Sequence, residues 1–130
     1  MTVYYAETSG NLKTSAVSPQ PIPGLSVKIP AGVGDQILVI LNVPNPYAMA
    51  GVGTEFPGGW FGIAVDGKVQ SAYATFTYNE AQPASTGRIP TTLVIAVDLT
   101  PNPQTIQAMW HGVRNSTVVI DSPATLSATL

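Results

Sequence analysis

The sequence contains no cysteine and a single histidine, His111. Without cysteine there is neither a disulfide framework nor a thiolate nucleophile. Structural and catalytic zinc sites use several His or Cys ligands, so a zinc site of the usual kind is excluded as well.

Charged side chains are also scarce. Five Lys and Arg and seven Asp and Glu make up 9% of the 130 residues, with a net charge of −2, whereas a typical soluble domain has about 25%. Because Lys and Arg form no cluster, we expect no nucleic-acid partner. The hydrophobic content of 45% excludes intrinsic disorder. The surface is therefore either polar and uncharged or covered by copies of the chain.

Long hydrophobic runs are missing too. The longest aliphatic stretch, Ile37–Leu41, is far shorter than the roughly 20 residues that span a bilayer. The N-terminus, Met1–Glu7, lacks the basic and apolar regions of a classical signal peptide. We expect no membrane insertion, synthesis in the cytoplasm, and release or surface attachment only by a non-classical route.

Glycine and proline are plentiful, with twelve of each, and they separate short runs rich in Val, Ile, Thr, Tyr and Phe. This punctuation predicts a single all-β domain over residues 1–130, a β-sandwich with the jelly roll as leading architecture. The predicted strands are Thr2–Glu7, Leu25–Ile29, Gln36–Val43, Trp60–Val65, Lys68–Tyr78, Thr91–Leu99, Thr105–His111, Thr117–Asp121 and Thr125–Leu130.

The residue patterns of two segments predict specific local structure. The pair Asp66-Gly67 between two strands favours a type I′ hairpin turn. In Leu93–Leu99 the large residues at alternate positions share one face, and the small apolar residues Val94 and Ala96 lie on the other. A strand that is apolar on both faces lies between two layers or against a neighbouring subunit.

The two arginines, Arg88 and Arg114, both lie in polar, turn-like segments. The planar guanidinium carries five donors and suits paired acceptors, including adjacent sugar hydroxyls. Hydroxyl-rich neighbours, an exposed aromatic ring and an Arg fork are what a sugar-binding cleft needs. The alternative is that both arginines cap surface loops.

The neighbouring polar and aromatic residues leave alternatives open. Asp121 ends a strand and is either the counter-charge of an arginine or a turn cap. The aromatic residues Tyr47, Trp60 and Tyr78 are either platforms for sugar rings or part of the core.

No catalytic constellation is evident. The sequence has no Gly-x-Ser-x-Gly elbow, and we interpret His111 as structural. Glycosidases need two carboxylates at one site, and nothing in the sequence brings together the candidates Glu55, Glu80, Asp98 and Asp121. We therefore expect that the protein is not an enzyme.

Six short motifs occur in an order and at spacings that resemble a known family. They are Ile40–Ala48, Phe56-Pro57-Gly58, Phe76-Thr77-Tyr78, Ser85–Pro90, Trp110–Arg114 and Ile120-Asp121-Ser122. The family is that of the fucose-binding, tumour-necrosis-factor-like (TNF-like) lectins, whose known example is bacterial, the N-terminal domain of a Burkholderia superlectin. The resemblance covers roughly residues 25–128.

The resemblance implies a TNF-like jelly-roll homotrimer with three equivalent fucose sites between protomers, without metal or cofactor. One protomer is expected to supply Tyr47, Ser85, Thr86 and Arg88. The neighbouring protomer is expected to supply Trp60, Thr77, Tyr78 and Arg114. Supporting residues near the second arginine would be Asp121 and Ser122.

The implied function is that of a lectin for terminal L-fucose on glycoconjugates. Two departures bear on its specificity, since the family usually has Tyr where this chain has Trp60, and the loop Met49–Glu55 is longer. The alternative is a TNF-like trimeric structural or receptor-binding head that contacts protein rather than sugar.

Overall fold

The computed structural model describes residues 1–51, 56–78 and 85–130, and all regular structure in these ranges is β-strand. The all-β prediction is confirmed. The strands are β1 Val3–Glu7, β2 Leu12–Thr14, β3 Gln20–Ile29, β4 Gln36–Val43, β5 Tyr47–Met49, β6 Gly58–Val65, β7 Lys68–Thr77, β8 Thr91–Asp98, β9 Gln104–Val113, β10 Thr117–Ile120 and β11 Thr125–Thr129.

The strands form three sheets, with the orders β1-β11-β4-β8, β3-β9-β6-β7 and β2-β10-β5. Every pairing is antiparallel. The two four-stranded sheets form a jelly-roll-like sandwich around one apolar core. The largest fully buried side chains include Phe61, Ile22, Leu25, Ile29, Ile37 and Leu41. The small sheet packs through β10 against β6 and β9.

Alternation along the strands explains which side chains enter the core. Successive side chains of a strand point to opposite faces, and in β4 alternate residues from Ile37 to Val43 are buried. In β8 the predicted division into two faces is confirmed, and the face with the large residues is the core face. Leu93 and Val97 are buried, whereas Val94 on the opposite face is 54% exposed.

The hairpin between β6 and β7 has the predicted turn. Asp66 and Gly67 both have positive φ, 48° and 83°, as a type I′ turn requires. The carboxylate of Asp66 also accepts a hydrogen bond from the Thr105 amide at 2.8 Å. The turn is therefore tied to the start of β9.

The prediction missed two strands and made three others too short, β6, β9 and most of all β3. β2 and β5 have three residues each, and both are held by pairing with β10. β3 begins at Gln20, five residues before the predicted start. It accommodates Pro21 and Pro23 because it lies at the edge of its sheet, with a register shift between Pro21 and Ser26.

Among the residues described, none forms a helix with the length and hydropathy that crossing a bilayer requires.

The turn that carries Arg114 depends on a close backbone approach at Gly112. A Cβ atom added to Gly112 would lie 1.9 Å from the backbone oxygen of Ser116. The hydroxyl of Ser116 in turn accepts a hydrogen bond from the Gly58 amide at 3.0 Å and donates one to Val113 O at 2.6 Å. Ser116 therefore connects the end of β9 and the start of β10 to the start of β6.

We predict that Gly112→Ala lowers the free energy of unfolding by about 1–3 kcal/mol, because backbone atoms cannot move aside as a flexible side chain does. Urea denaturation would measure the loss. The matched control is Gly34→Ala, whose added Cβ would meet only Leu130 Cδ2 at an ordinary 3.5 Å. Equal stability of both variants and the wild type would contradict the prediction.

Candidate functional site

The first group of predicted site residues meets around an ion pair between Arg88 and Asp121. The two terminal nitrogens of Arg88 donate to the two carboxylate oxygens of Asp121 at 2.5 and 2.7 Å. Nη1 also donates to the carbonyl of Asn45 at 3.0 Å, and Cζ lies 4.8 Å from the ring centroid of Tyr47. Of the two alternatives for Asp121, the structure shows the counter-charge of an arginine. Within the chain that arginine is Arg88, whereas the resemblance placed Asp121 and Ser122 near the second arginine, Arg114.

The segment that carries Arg88 is tied to β5 by backbone hydrogen bonds. Thr86 N donates to Ala48 O at 2.9 Å, and Ile89 N donates to Pro46 O at 3.0 Å. The buried hydroxyl of Thr86 accepts from Ala48 N at 3.0 Å and donates to Gly87 O at 2.6 Å. This hydroxyl therefore holds the loop in place, and its direct contact with a sugar stays a prediction.

Ser85 and Ser122 lie at the border of the same group. Ser85 is exposed, and its hydroxyl accepts a hydrogen bond from Gly87 N at 3.1 Å. Ser122 Oγ accepts from the Asn45 side-chain amide at 3.4 Å. Tyr47, Ser85, Gly87 and Arg88 line an open cavity of about 230 Å³, the Arg88 cavity.

The ion pair shifts the pKa values of both of its partners. Hydrogen bonds from the Arg88 guanidinium lower the pKa of the Asp121 carboxyl, and the attraction between the two charges acts in the same direction. The same hydrogen bonds raise the pKa of Arg88. Both groups are therefore charged at neutral pH.

The second group of predicted site residues is assembled around Phe56-Pro57-Gly58. Thr77 pairs with Gly58 across β6 and β7, and Tyr78 N donates to Pro57 O at 2.9 Å. Arg114 Nε donates to Phe56 O at 2.8 Å, and Cζ of Arg114 lies 5.6 Å from the Phe56 ring. Arg114 itself has a positive φ of 53° in the turn between β9 and β10.

Trp60 lies between two other rings on the outer face of its sheet. Its ring stacks on His111 of β9, with centroids 4.7 Å apart, and on Tyr73 of β7, with centroids 5.8 Å apart. It also covers Gly62, where an added Cβ would lie 2.3 Å from Trp60 Cη2. Because the neighbours come from the strands on either side, the indole presents its edge to the outside.

His111 has a packing role in this structure, in agreement with its interpretation as structural. Its Nδ1 lies 2.6 Å from the carbonyl oxygen of Gly112. A carbonyl only accepts hydrogen bonds, so Nδ1 carries the hydrogen.

The structure does not bring together the described carboxylates that were considered as a catalytic pair. Asp98 accepts a hydrogen bond from Gln36 at the far end of β8, whereas Asp121 is paired with Arg88. Glu55 and Glu80 lie outside the described residues. Within the ranges that the structure covers, no three His, Asp or Glu side chains are grouped as potential metal ligands.

Sequence reasoning missed three contributors. The carbonyls of Asn45 and Phe56 accept hydrogen bonds from the two arginines, and Tyr73 covers one side of Trp60. Asn45 and Phe56 lie inside the motifs that carried the resemblance, but backbone acceptors leave no signal in residue type. Tyr73 lies opposite Gly62 in the ladder, and that register becomes visible only once the strands are paired.

The model of the Bc2l-C N-terminal domain family matches residues 9–129. The chain belongs to this family. The family expected from the six ordered motifs is thereby confirmed. Membership in the Bc2l-C N-terminal domain family indicates a carbohydrate-binding domain.

No curated protein matches the chain. Among solved structures it is similar to the CBM36-1 domain of a multidomain xylanase from the hindgut metagenome of Trinervitermes trinervoides. The identity is 13% and the TM-score 0.42, over 99% of this chain and 98% of that one. It is also similar to dimeric latent PorU from Porphyromonas gingivalis, at 13% identity and a TM-score of 0.46, over 97% of this chain and 13% of that one.

We predict that the pKa of the Asp121 carboxyl lies below its ordinary value of 3.8 in the wild type and rises toward that value in Arg88→Ala. The pKa of Asp121 is lower in the folded chain than in the unfolded one. The ion pair therefore stabilises the fold fully when the pH is above the pKa of the unfolded chain. This stabilisation is lost as the pH falls through the lowered pKa. The ¹³C carboxyl shift of Asp121, followed by NMR between about pH 2 and 6, would measure both midpoints. Identical midpoints would contradict the prediction.

Proposed function

We propose that residues 1–130 form one TNF-like jelly-roll domain, which assembles into a homotrimer and binds terminal L-fucose on glycoconjugates without a metal or cofactor. The observation that carries the proposal is the Arg88 guanidinium, held by Asp121 against the ring of Tyr47 at the edge of an open cavity. Family membership supports the carbohydrate as ligand.

The geometry of Arg88 suits a sugar with adjacent hydroxyls. In the described part of the chain, three of its five N–H donors contact Asn45 and Asp121, so Nε–H and one Nη2–H remain for a ligand. Because the carboxylate already fixes the guanidinium plane, little side-chain entropy is lost when a sugar binds. The exposed hydroxyl of Ser85 lies on the same cavity and adds a polar contact.

The second group of residues would complete the site from a neighbouring protomer. Trp60, Thr77, Tyr78 and Arg114 are built on β6, β7 and the turn after β9, whereas the first group is built on β5, the segment 85–90 and the end of β10. In this arrangement Trp60 would contact the ligand with its edge, because His111 and Tyr73 lie against its ring.

The trimer interface is proposed on the outer face of the sheet β1-β11-β4-β8. The pairing places Val3 and Leu38 in one row across this sheet and Tyr5 and Val94 in the next. These four side chains are 44–57% exposed. Neighbouring apolar residues on one face support burial against further copies of the chain.

We predict that Arg114→Ala weakens the binding of free fucose by at least about tenfold while the chain remains a folded trimer. A lost hydrogen bond to a charged donor has an effect of this size. Isothermal titration calorimetry would measure the affinity, and Lys28→Ala, an exposed change on β3, is the control for loss of a positive charge. Unchanged fucose affinity of the Arg114→Ala variant would show that Arg114 does not bind the sugar.

The same titration tests the proposed function itself. The folded wild type should bind fucose equally with and without a chelator. Failure to bind fucose would favour a protein-binding head over a lectin, and binding that disappears with the chelator would overturn metal independence.

We predict that Val94→Asp converts the trimer into folded monomers, since three unpaired carboxylates would be buried at the interface. Light scattering after size-exclusion chromatography would give the mass, and circular dichroism would verify the fold. Val17→Asp, at a valine that is 72% exposed in a loop outside this sheet, should remain trimeric. A trimeric Val94→Asp variant would place the interface elsewhere.

A further inference from the structure

A second cavity, the Lys13 cleft, lies on the outer face of the small sheet β2-β10-β5. Its volume is about 260 Å³, and its lining includes Asn11, Lys13, Tyr47, Met49, Val119 and Asp121. None of the roles described above uses Lys13, Met49 or Val119.

The strand register explains the shape of the cleft. Val119 of β10 pairs with Lys13 on one side and with Tyr47 on the other, so these three side chains form one row. The middle residue, Val119, is only 7% exposed and forms the floor between its two longer neighbours. Two residues before Val119 on the same face of β10, the hydroxyl of Thr117 is hydrogen-bonded to that of Ser15 at 2.6 Å, which ties the chain after β2 to β10.

The Lys13 cleft and the Arg88 cavity are neighbours that share a wall. Tyr47 lines both of them. The ion pair joins them as well, because Asp121 lines the Lys13 cleft and Arg88 lines the other cavity. A ligand that extends from one cavity into the other would therefore contact Tyr47 in both.

The charges around the cleft do not cancel. Both carboxylate oxygens of Asp121 are matched by Arg88. Lys13 takes part in none of the ion pairs found among the described residues. Its ammonium is therefore the uncompensated charge at this cavity, in a chain with only five Lys and Arg.

We propose that the Lys13 cleft is a second carbohydrate subsite, which accepts an anionic sugar residue, carboxylated or sulfated, next to the fucose of the same glycan. The proposal rests on the proposed function of the Arg88 cavity. Val119 and Met49 would pack against the C–H face of the sugar ring, as apolar surfaces in sugar sites do. Lys13 would pair with the acidic group, and the volume, below the 300–1,000 Å³ of drug-sized pockets, suits one ring.

The test compares three oligosaccharides with the same terminal fucose. In the first the neighbouring residue is neutral, in the second it is sulfated, and in the third it is a uronate. We expect the wild type to bind at least one acidic form about two- to fivefold more tightly than the neutral form, the range of a solvent-accessible ion pair. The preference should shrink when the ionic strength is raised from about 0.02 M to about 0.3 M.

The variant Lys13→Gln should lose this preference while its affinity for free fucose stays that of the wild type. Lys28→Gln, on the opposite four-stranded sheet, serves as the matched control and should keep the preference. Equal binding of neutral and acidic forms by the wild type, or a preference that survives in Lys13→Gln, would overturn the subsite. A folded wild type that binds no fucose would overturn the proposed function together with the subsite.

Discussion

The bidentate ion pair between Arg88 and Asp121 is the interaction on which the arrangement of the site depends. It joins the segment 85–90 to the end of β10 and, through Asn45, to the chain entering β5. Two parallel N–H···O bonds fix the plane of a guanidinium as well as its position, so the pair also sets how Arg88 lies against Tyr47. In a chain with twelve charged residues, this pair is an organising contact rather than one of many surface salt bridges.

The small sheet β2-β10-β5 carries the side chains that form the proposed binding surface beside this ion pair. The inward side chains of β10, Val118 and Ile120, are fully buried in the core, which anchors the sheet to the sandwich. Its outward side chains are Val119, beneath the Lys13 cleft, and Asp121, beside Arg88. Because successive residues of a strand face opposite ways, four residues supply both the anchor and the floor of the binding surface. Tyr47 of the neighbouring strand β5 lines both the Lys13 cleft and the Arg88 cavity.

Much of the fold was predictable from local chemistry. The bounds of β4 are as predicted, because a short aliphatic run that lies between Gly34-Asp35 and Pro44 defines a strand without knowledge of its partners. The Asp66-Gly67 turn was predictable for the same reason, since positive φ at both positions restricts the residue types. The strands β2 and β5 were not predictable, because three residues carry no periodic signal and their existence depends on pairing with β10, distant in sequence.

The candidate site, like the fold, was predictable from the sequence only in part. The residue types and the order of the motifs were enough to select Tyr47, Arg88 and Asp121, and to identify the family that the match over residues 9–129 shows. The resemblance placed Asp121 near the second arginine, Arg114, whereas within the chain its partner is Arg88. Residue types did not reveal this pairing, since both arginines lie in polar loops and have the same chemistry.

The sequence by itself thus determined the all-β class, the Asp66-Gly67 hairpin, the two faces of β8 and the family, since these follow from local periodicity, turn stereochemistry and motif order. Only the tertiary structure decided that Arg88 is the partner of Asp121, that Trp60 lies between Tyr73 and His111, and that Lys13 borders a cleft beside Tyr47. Each of these depends on the register between strands far apart in the chain, and a register is set by the packing of the whole sandwich.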